Sequence, residues 1–99
     1  MTQVTFRQDG KTLTALLSGE IDHHGAAQLR AAIDDRIAAA SPAILILDFS
    51  AVTFMDSAGI GLILGRHKLV SALGGVVVVQ KAPKDIRRTL SVAGIESKE

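Results

Sequence analysis

The chain has 99 residues, a length that fits one compact domain with a single hydrophobic core. Its 11 Lys and Arg nearly balance its 10 Asp and Glu, and its only aromatic residues are three Phe. This composition argues against nucleic acid as a partner, because phosphate contacts need a basic surface and unpaired bases need aromatic stacking platforms. The chain has no Cys, which excludes disulfides and thiolate metal sites.

The N-terminal residues lack the basic start and the apolar run of a secretory signal. No apolar stretch approaches the roughly 18 residues that a membrane-spanning helix needs. Together with the absence of Cys, these features predict a soluble cytoplasmic protein without a membrane partner.

The first part of the chain predicts a hairpin followed by a helix. Residues 4–8 and 13–17 have a strand-like composition, and Asp9-Gly10 between them is typical of a hairpin turn. A polar connection over residues 19–25 then leads to a helix. The apolar residues of that helix recur at steps of three and four, at Ala26, Leu29, Ile33, Ile37 and Ala40.

The middle of the chain predicts the centre of a sheet. Ser41-Pro42 ends the first helix, and residues 43–47 are apolar at every position. Such a run is typical of a central strand that is covered on both faces, for which helices on either side are one solution. We expect a loop over residues 48–56 to lead from this strand to the second helix.

The second helix is predicted to begin at Ser57 and to end before Gly74-Gly75, which suit a C-terminal glycine cap. Residues 76–79 are four consecutive Val and predict another buried strand. Pro83 suits the first turn of a short third helix, and Gly94 suits its end.

The predicted order of elements is therefore β-β-α-β-α-β-α, an α/β fold in which helices cover a sheet. A helix joins the last two strands, so we expect them to run parallel with a right-handed crossover. Residues 95–99 are too polar and too short for a buried strand, and we expect a frayed tail there. No repeat or linker divides the chain, so we expect a single domain over residues 1–99.

The hydroxyl of Ser57 is the leading candidate for a functional group. The first turn of a helix leaves backbone N–H groups unpaired and carries partial positive charge, so an oxyanion on Ser57 is well placed there. Two alternatives remain open: Asp56 and Ser57 are both favoured helix N-caps, and a helix start can also hold the phosphate of a small ligand. The chain has no G-x-x-x-x-G-K-[ST] motif, so a nucleotide P-loop is not predicted.

Three glycines, Gly59, Gly61 and Gly65, lie inside the second helix, where each costs about 1 kcal/mol relative to Ala. Ala58, Gly61 and Gly65 share one side of the helix. Small residues on one side allow close approach of another backbone. This approach has two interpretations: tight packing within the chain, or a docking face for a partner beside Ser57.

Two segments of the chain resemble a known family. They are residues 19–24, Gly-Glu-Ile-Asp-His-His, and residues 52–68, which contain Asp56-Ser57-Ala58-Gly59. They are similar to the bacterial anti-sigma factor antagonists, the single-domain STAS proteins, and most closely to the sporulation type. The resemblance covers about residues 4–94 and implies a STAS-like mixed β-sheet with helical cover.

The resemblance also implies a mechanism. In that family, a partner that is both anti-sigma factor and serine kinase phosphorylates the serine that follows the aspartate of Asp-Ser-x-Gly, which is Ser57 in this chain. The unphosphorylated antagonist binds the anti-sigma factor and frees the sigma factor, and a serine phosphatase resets the cycle. Family members often have a second serine at the position of Ala58. The family also continues through another strand and a closing helix, which this chain lacks; self-association over the edge of residues 76–79, as a homodimer, is one explanation.

The residues predicted to contact the partner surround Ser57. The carboxylates of Glu20, Asp22 and Asp56 suit basic residues on a kinase, although Asp22 is also a candidate N-cap of the first helix. The full predicted set of contacts is Glu20, Asp22, His23, His24, Asp56, Ala58, Gly59, Gly61 and Gly65. Adjacent residues such as His23 and His24 diverge on a regular element and lack a third spaced ligand, so no metal and no cofactor is predicted.

An enzyme is the competing interpretation of Ser57. It would make this hydroxyl a hydrolase nucleophile with His23, His24 or His67 as the base and with Asp22 or Asp48 to orient that base. The chain lacks the G-x-S-x-G elbow, and no spacing fixes a triad, so we predict that the protein is not an enzyme. A ligand-binding or scaffold STAS module, not controlled by phosphorylation, is the alternative function.

Overall fold

The computed structural model describes residues 1–99 and contains five strands and three helices. In chain order they are β1 (Gln3–Asp9), β2 (Thr12–Ile21), α1 (His23–Ala40), β3 (Ile44–Met55), α2 (Ser57–Ala72), β4 (Val76–Gln80), α3 (Lys84–Val92) and β5 (Ser97–Lys98). The first seven elements follow the predicted order, so the α/β fold is confirmed. No helix is both long enough and apolar enough to cross a membrane.

The five strands form one sheet in the order β1-β2-β3-β4-β5. The β1–β2 pair is antiparallel and its turn contains Gly10 at φ +61°, which confirms the predicted hairpin. The other three pairs are parallel. Because successive parallel strands are also neighbours in space, right-handed crossovers place all three connecting helices on the same face of the sheet.

The burial of β2 agrees with helices on a single face. Leu13, Ala15 and Leu17 are fully buried and belong to the core cluster, whereas Thr14 and Leu16 between them remain partly or largely exposed. Alternate residues of a strand point to opposite faces, so this strand has one covered face and one open face.

The central strand β3 follows the same rule, which corrects one prediction. Leu45 and Leu47 are buried, but Ile44 and Ile46 remain partly exposed. The prediction that this strand is covered on both faces is therefore wrong. The cause lies in the strand order, which leaves the opposite face of the sheet without a helix.

Strand β3 also continues to Met55, so the predicted loop over residues 48–56 is wrong. Its pairing with β2 shifts register twice, and each shift inserts one extra residue into β3. These bulges break the usual alternation, so that Phe49, Val52 and Met55 are buried at steps of three. The residues at the intervening positions, Ser50, Ala51, Thr53 and Phe54, do not follow the alternation of apolar and polar residues that indicates a strand.

Helix α1 is placed as its periodicity predicts, with Leu29, Ile33 and Ile37 buried in the core. It begins at His23, because β2 continues to Ile21 where a polar connection over residues 19–25 was expected. The helix ends at Ala40, and its C-cap Ser41 has a left-handed backbone with φ 42°.

The C-terminal tail forms a fifth strand, which corrects the prediction of a frayed end and of a missing last strand. Ser97 and Lys98 pair in parallel with Val79 and Gln80 of β4. The Lys81 amide also donates to the Lys98 carbonyl at 2.6 Å. Backbone hydrogen bonds rather than apolar burial hold this short strand. The outer edge of β4 at residues 76–78 has no partner strand, so the homodimer over this edge stays a prediction.

Candidate functional site at the start of helix α2

Ser57 is the first residue of α2 and is exposed. Its hydroxyl makes no hydrogen bond within the protein, although the Asp56 carboxylate and the Ala58 amide on either side of it bond to each other. A free, exposed hydroxyl at the end of an ordered strand is accessible to a modifying enzyme.

Asp56, not Ser57, is the N-cap of α2. Its Oδ1 accepts from the Ala58 amide at 2.8 Å, and its backbone carbonyl accepts from the Gly59 amide at 3.0 Å. The cap therefore already occupies two amides of the first turn and places a carboxylate there. A phosphate on Ser57 would lie beside the negative charge of Asp56, and the accommodation of an oxyanion at this helix start stays a prediction.

A second capped helix starts next to the first. Asp22 Oδ1 accepts from the Gly25 amide at 2.7 Å, which confirms Asp22 as the N-cap of α1. The Asp56 amide donates to the Ile21 carbonyl at 3.2 Å, so the two junctions between strand and helix are in direct contact. The structure therefore brings Asp22 and Asp56 together beside Ser57, as the sequence predicted.

Glu20 and Phe54 are paired on the neighbouring ends of β2 and β3. Glu20 is exposed, and its Oε1 lies 3.0 Å from the N-terminal ammonium of Met1. Phe54 is 51% exposed, two residues before the Asp56 cap. The sequence prediction missed Phe54, because the bulges in β3 hide which residues of this strand face outward.

His23 and His24 are both exposed at the start of α1, with ring centroids 6.0 Å apart and ring planes at 67°. No group of three or more His, Cys, Asp or Glu side chains is arranged to hold a metal ion. His23 lines the same surface groove as Ala58 near Ser57, and His24 is exposed next to it in sequence.

The arrangement expected of a hydrolase is not assembled around Ser57. The carboxylate of Asp48 is turned to other partners: Oδ1 accepts from the amide and hydroxyl of Ser50, at 2.9 and 2.6 Å, and Oδ2 accepts from Gln80 at 3.0 Å. His67 lies farther along α2 and lines a groove next to β4. Ser57 thus has neither a base nor an orienting carboxylate bonded to it.

The hydrogen bonds of Asp48 also set its charge. Burial alone would raise the pKa of this carboxyl, but the bonds from Ser50 and Gln80 hold its pKa below the ordinary value. Asp48 is only 4% exposed, and its hydrogen bond with Gln80 links β3 to β4. Its role is therefore structural.

The glycines of α2 fall into two groups. Gly59 is buried, and a Cβ there would collide with Cγ and Sδ of Met55, so packing within the chain requires this glycine. The prediction that Gly59 contacts a partner is corrected, because its burial excludes it from the exposed face. A Cβ on Gly61 or Gly65 would meet nothing within 4 Å. Packing within the chain therefore does not explain these two glycines.

Comparison with known proteins identifies the family. The STAS domain profile matches residues 3–99. The chain belongs to the STAS domain family. Within this family, the anti-sigma F factor antagonist of Paenibacillus polymyxa is 33% identical over 93 residues, which are 94% of this chain and 80% of that protein. The corresponding antagonist of Lysinibacillus sphaericus is 32% identical over 85 residues, 86% of this chain and 73% of that protein.

Solved structures give the same family for this STAS domain. The anti-sigma factor antagonist SpoIIAA in its unphosphorylated form has a TM-score of 0.83 and 28% identity, over 100% of this chain and 89% of that chain. The Bacillus cell fate determinant SpoIIAA in its phosphorylated form has a TM-score of 0.76 and 28% identity, over 100% and 92%. The predicted resemblance to the anti-sigma factor antagonists is confirmed, so this STAS domain is one of them by sequence and by fold.

A charged pair between a buried arginine and a partly exposed aspartate of the STAS domain also escaped the sequence prediction. Arg66 on α2 is 7% exposed, and its Nε lies 2.8 Å from Asp34 Oδ1 on α1, although the N–H is not aligned for a hydrogen bond. Burial lowers the pKa of Arg66, Asp34 raises it, and the positive charge of Arg30 lowers it again. The sequence offers only a weak signal, because Arg66 is followed directly by the polar residues His67 and Lys68 and resembles part of an exposed charged stretch.

Proposed function

We propose that this STAS domain is an anti-sigma factor antagonist that is switched by phosphorylation of Ser57. In its unphosphorylated form it binds an anti-sigma factor with serine kinase activity and releases a sigma factor in the cytoplasm. The kinase transfers a phosphate to Ser57 and then dissociates from the antagonist. A serine phosphatase restores the unphosphorylated form. The observation that carries this proposal is the exposed, unbonded Ser57 hydroxyl at the start of α2.

The relatives support the proposal. Two of them are anti-sigma F factor antagonists by name, and SpoIIAA, with a similar fold, has both an unphosphorylated and a phosphorylated form. A regulatory role through binding fits the surroundings of Ser57, because no base is bonded to its hydroxyl. The protein acts on its partner by occupying it and is not itself a catalyst.

Electrostatics explain how one phosphate would act as a switch. Phosphorylation adds about −1.5 to −2 charges to Ser57. These charges lie directly beside the cap Asp56, so the partner surface becomes more acidic. Burying an uncompensated charge in an interface costs on the order of 3 to 5 kcal/mol. At 1.4 kcal/mol per tenfold, the partner loses affinity by roughly a hundred-fold to several thousand-fold.

The partner surface extends over both helix starts. It contains the exposed Glu20 and Phe54, the half-buried caps Asp22 and Asp56, and the exposed imidazoles of α1. A partner with basic residues matches these carboxylates, and an apolar pocket on that partner matches the Phe54 ring. Ala58, Gly61 and Gly65 continue this surface along α2.

The test is phosphate transfer to a defined residue. The purified chain is incubated with ATP and the anti-sigma factor kinase encoded by the same genome, and intact mass and peptide mapping follow the product. We expect one added phosphate, on Ser57, and none in the Ser57→Ala variant. Phosphate on another residue would overturn the assignment.

A further inference from the structure

A groove of about 430 Å³ separates α1 from α2 on the surface of the molecule. Its walls are formed by small residues of both helices, which include Ala26 and Ala27 on α1 and Ala58, Gly61 and Gly65 on α2. Between Ala58 and Gly65 the groove follows α2 for about 10 Å, at 1.5 Å per residue. One end therefore lies next to Ser57, and the other lies two helical turns away.

The two glycines of this groove have no role within the chain. A Cβ on Gly61 or on Gly65 would stand in open space. Glycine in a helix interior lowers stability relative to alanine, so the fold alone would be better served by alanine at both positions. Their effect is to keep the floor of the groove at the level of the helix backbone.

The far end of the groove is positively charged. Arg30 is exposed there, and the largely buried Arg66 lines the floor. Of the Arg66 guanidinium, Nε faces Asp34 at 2.8 Å and Nη1 lies 3.5 Å from the Leu62 carbonyl, whereas Nη2 has no partner within the protein. Arg30 forms no salt bridge, and its positive charge acts on Arg66, so the groove carries two guanidinium groups beside the single carboxylate of Asp34.

We infer that this groove is a docking site for a segment of the anti-sigma factor that carries an acidic side chain. The segment lies on Gly61 and Gly65, and its Asp or Glu carboxylate pairs with Arg30 and with the free donor of Arg66. Guanidinium groups suit this task, because they bind carboxylates through two parallel hydrogen bonds. The inference rests on the proposed function and extends it by the chemistry of the partner.

Charge complementarity argues for this occupant. The two helix starts are acidic, with the caps Asp22 and Asp56, whereas the far end of the groove, about 10 Å along α2, is basic, with Arg30 and Arg66. A partner that presents a cation to the first region and a carboxylate to the second fits in one orientation and is repelled in the reverse one. The groove thus fixes the register that places the partner over Ser57.

Binding of the purified anti-sigma factor, measured by calorimetry, tests the inference with two variants and a matched control. Gly65→Ala adds a methyl group that projects into the groove without a clash within the chain, and Arg30→Glu reverses the charge of Arg30. Arg88→Glu makes the same change on the exposed surface of α3, outside the groove. We expect Gly65→Ala and Arg30→Glu each to weaken binding at least tenfold, and Arg88→Glu to change it less than twofold. Gly65→Ala should melt at or above the temperature of the wild type.

A charge exchange identifies the partner residue. Exposed Asp and Glu residues of the anti-sigma factor are changed to Arg one at a time, and each variant is titrated with Arg30→Glu. Recovery of at least tenfold in affinity at one position supports the salt bridge. If both groove variants bind with wild-type affinity while the Ser57→Asp variant binds weakly, the inferred docking site is wrong. The proposed function is then unaffected. A wild-type chain that does not bind the anti-sigma factor overturns both.

Discussion

The carboxylate of Asp56 accepts a hydrogen bond from the amide of Ala58 at 2.8 Å, and this bond encloses Ser57 between its two ends. The residue proposed to receive phosphate is therefore flanked by the negative charge that caps its own helix. Phosphorylation changes the charge of a surface that is already acidic, and the cap and the phosphate compete for the same end of the helix dipole.

The cap itself can be tested by its effect on stability. We expect Asp56→Ala to lower the free energy of unfolding by about 1 kcal/mol, the usual cost of a lost N-cap. Asp56→Asn keeps an acceptor oxygen and should stay within about 0.5 kcal/mol of the wild type. Urea denaturation followed by circular dichroism measures both. Equal stabilities of Asp56→Ala and the wild type would show that the cap does not stabilise α2.

The charge of Asp56 can be tested through phosphorylation. We expect a phosphate on Ser57 to lower the melting temperature of the wild type, because two anionic groups then crowd the start of α2. In Asp56→Asn the repulsion is absent, so the same phosphate should lower the melting temperature less or raise it. Thermal denaturation of the wild type and of Asp56→Asn, each with and without the phosphate, gives the comparison. A larger loss in Asp56→Asn than in the wild type would contradict the repulsion.

Gly59 and Gly61 form a matched pair on one helix. We expect Gly59→Ala to lower the free energy of unfolding by about 1–3 kcal/mol, because its Cβ must displace the Met55 side chain. Gly61→Ala should raise it by up to about 1 kcal/mol, because its Cβ enters open space and alanine favours the helix. Urea denaturation of the two variants decides this, and effects of the same sign would refute the distinction.

Much of this architecture could be predicted from the sequence, because the signals are local. The periodicity of α1 placed Leu29, Ile33 and Ile37 in the core, and Asp22 and Ser57 marked the helix starts. The second half of β3 could not be predicted, since its two bulges depend on pairing with β2. The backbone hydrogen bonds of β5 likewise leave no apolar pattern in the sequence.

The sequence indicated the start of α2 as the candidate site, and the structure places Ser57 there as an exposed residue, while other features of this surface were missed. That Ser57 receives a phosphate stays a prediction. Phe54 was missed because its exposure follows from a bulge, and the pair of Arg66 with Asp34 was missed because it joins two helices that are distant in sequence. Such features depend on tertiary packing, which one sequence does not display.

Phe54 should contribute to binding without contributing much to stability. It is 51% exposed next to the Asp56 cap, so its truncation removes less buried area than the truncation of a fully buried core residue. We expect Phe54→Ala to weaken binding of the anti-sigma factor about tenfold or more, as for an aromatic residue at an interface centre. Leu73→Ala is the control, because Leu73 is 53% exposed at the far end of α2. Equal losses in both variants would place Phe54 outside the interface.

The lowered pKa of Asp48 predicts how the free energy of unfolding changes at acidic pH. Its hydrogen bonds lower the pKa in the folded protein, so its charged form stabilises the fold at pH values above the ordinary Asp pKa of about 3.9. This contribution is lost as the pH falls through that value towards the lowered pKa. We expect Asp48→Asn to flatten the decline in unfolding free energy between about pH 5 and pH 2. Denaturant titrations at several pH values measure it, and an unchanged slope would contradict the role of Asp48.

The affinity of the anti-sigma factor for the two states of Ser57 tests the central claim most directly. Calorimetry compares the unphosphorylated chain with the same chain carrying one phosphate on Ser57, in the same buffer and at the same salt concentration. The account predicts tight binding of the first form and a loss of about a hundred-fold or more in the second. Equal affinities of the two forms would contradict it.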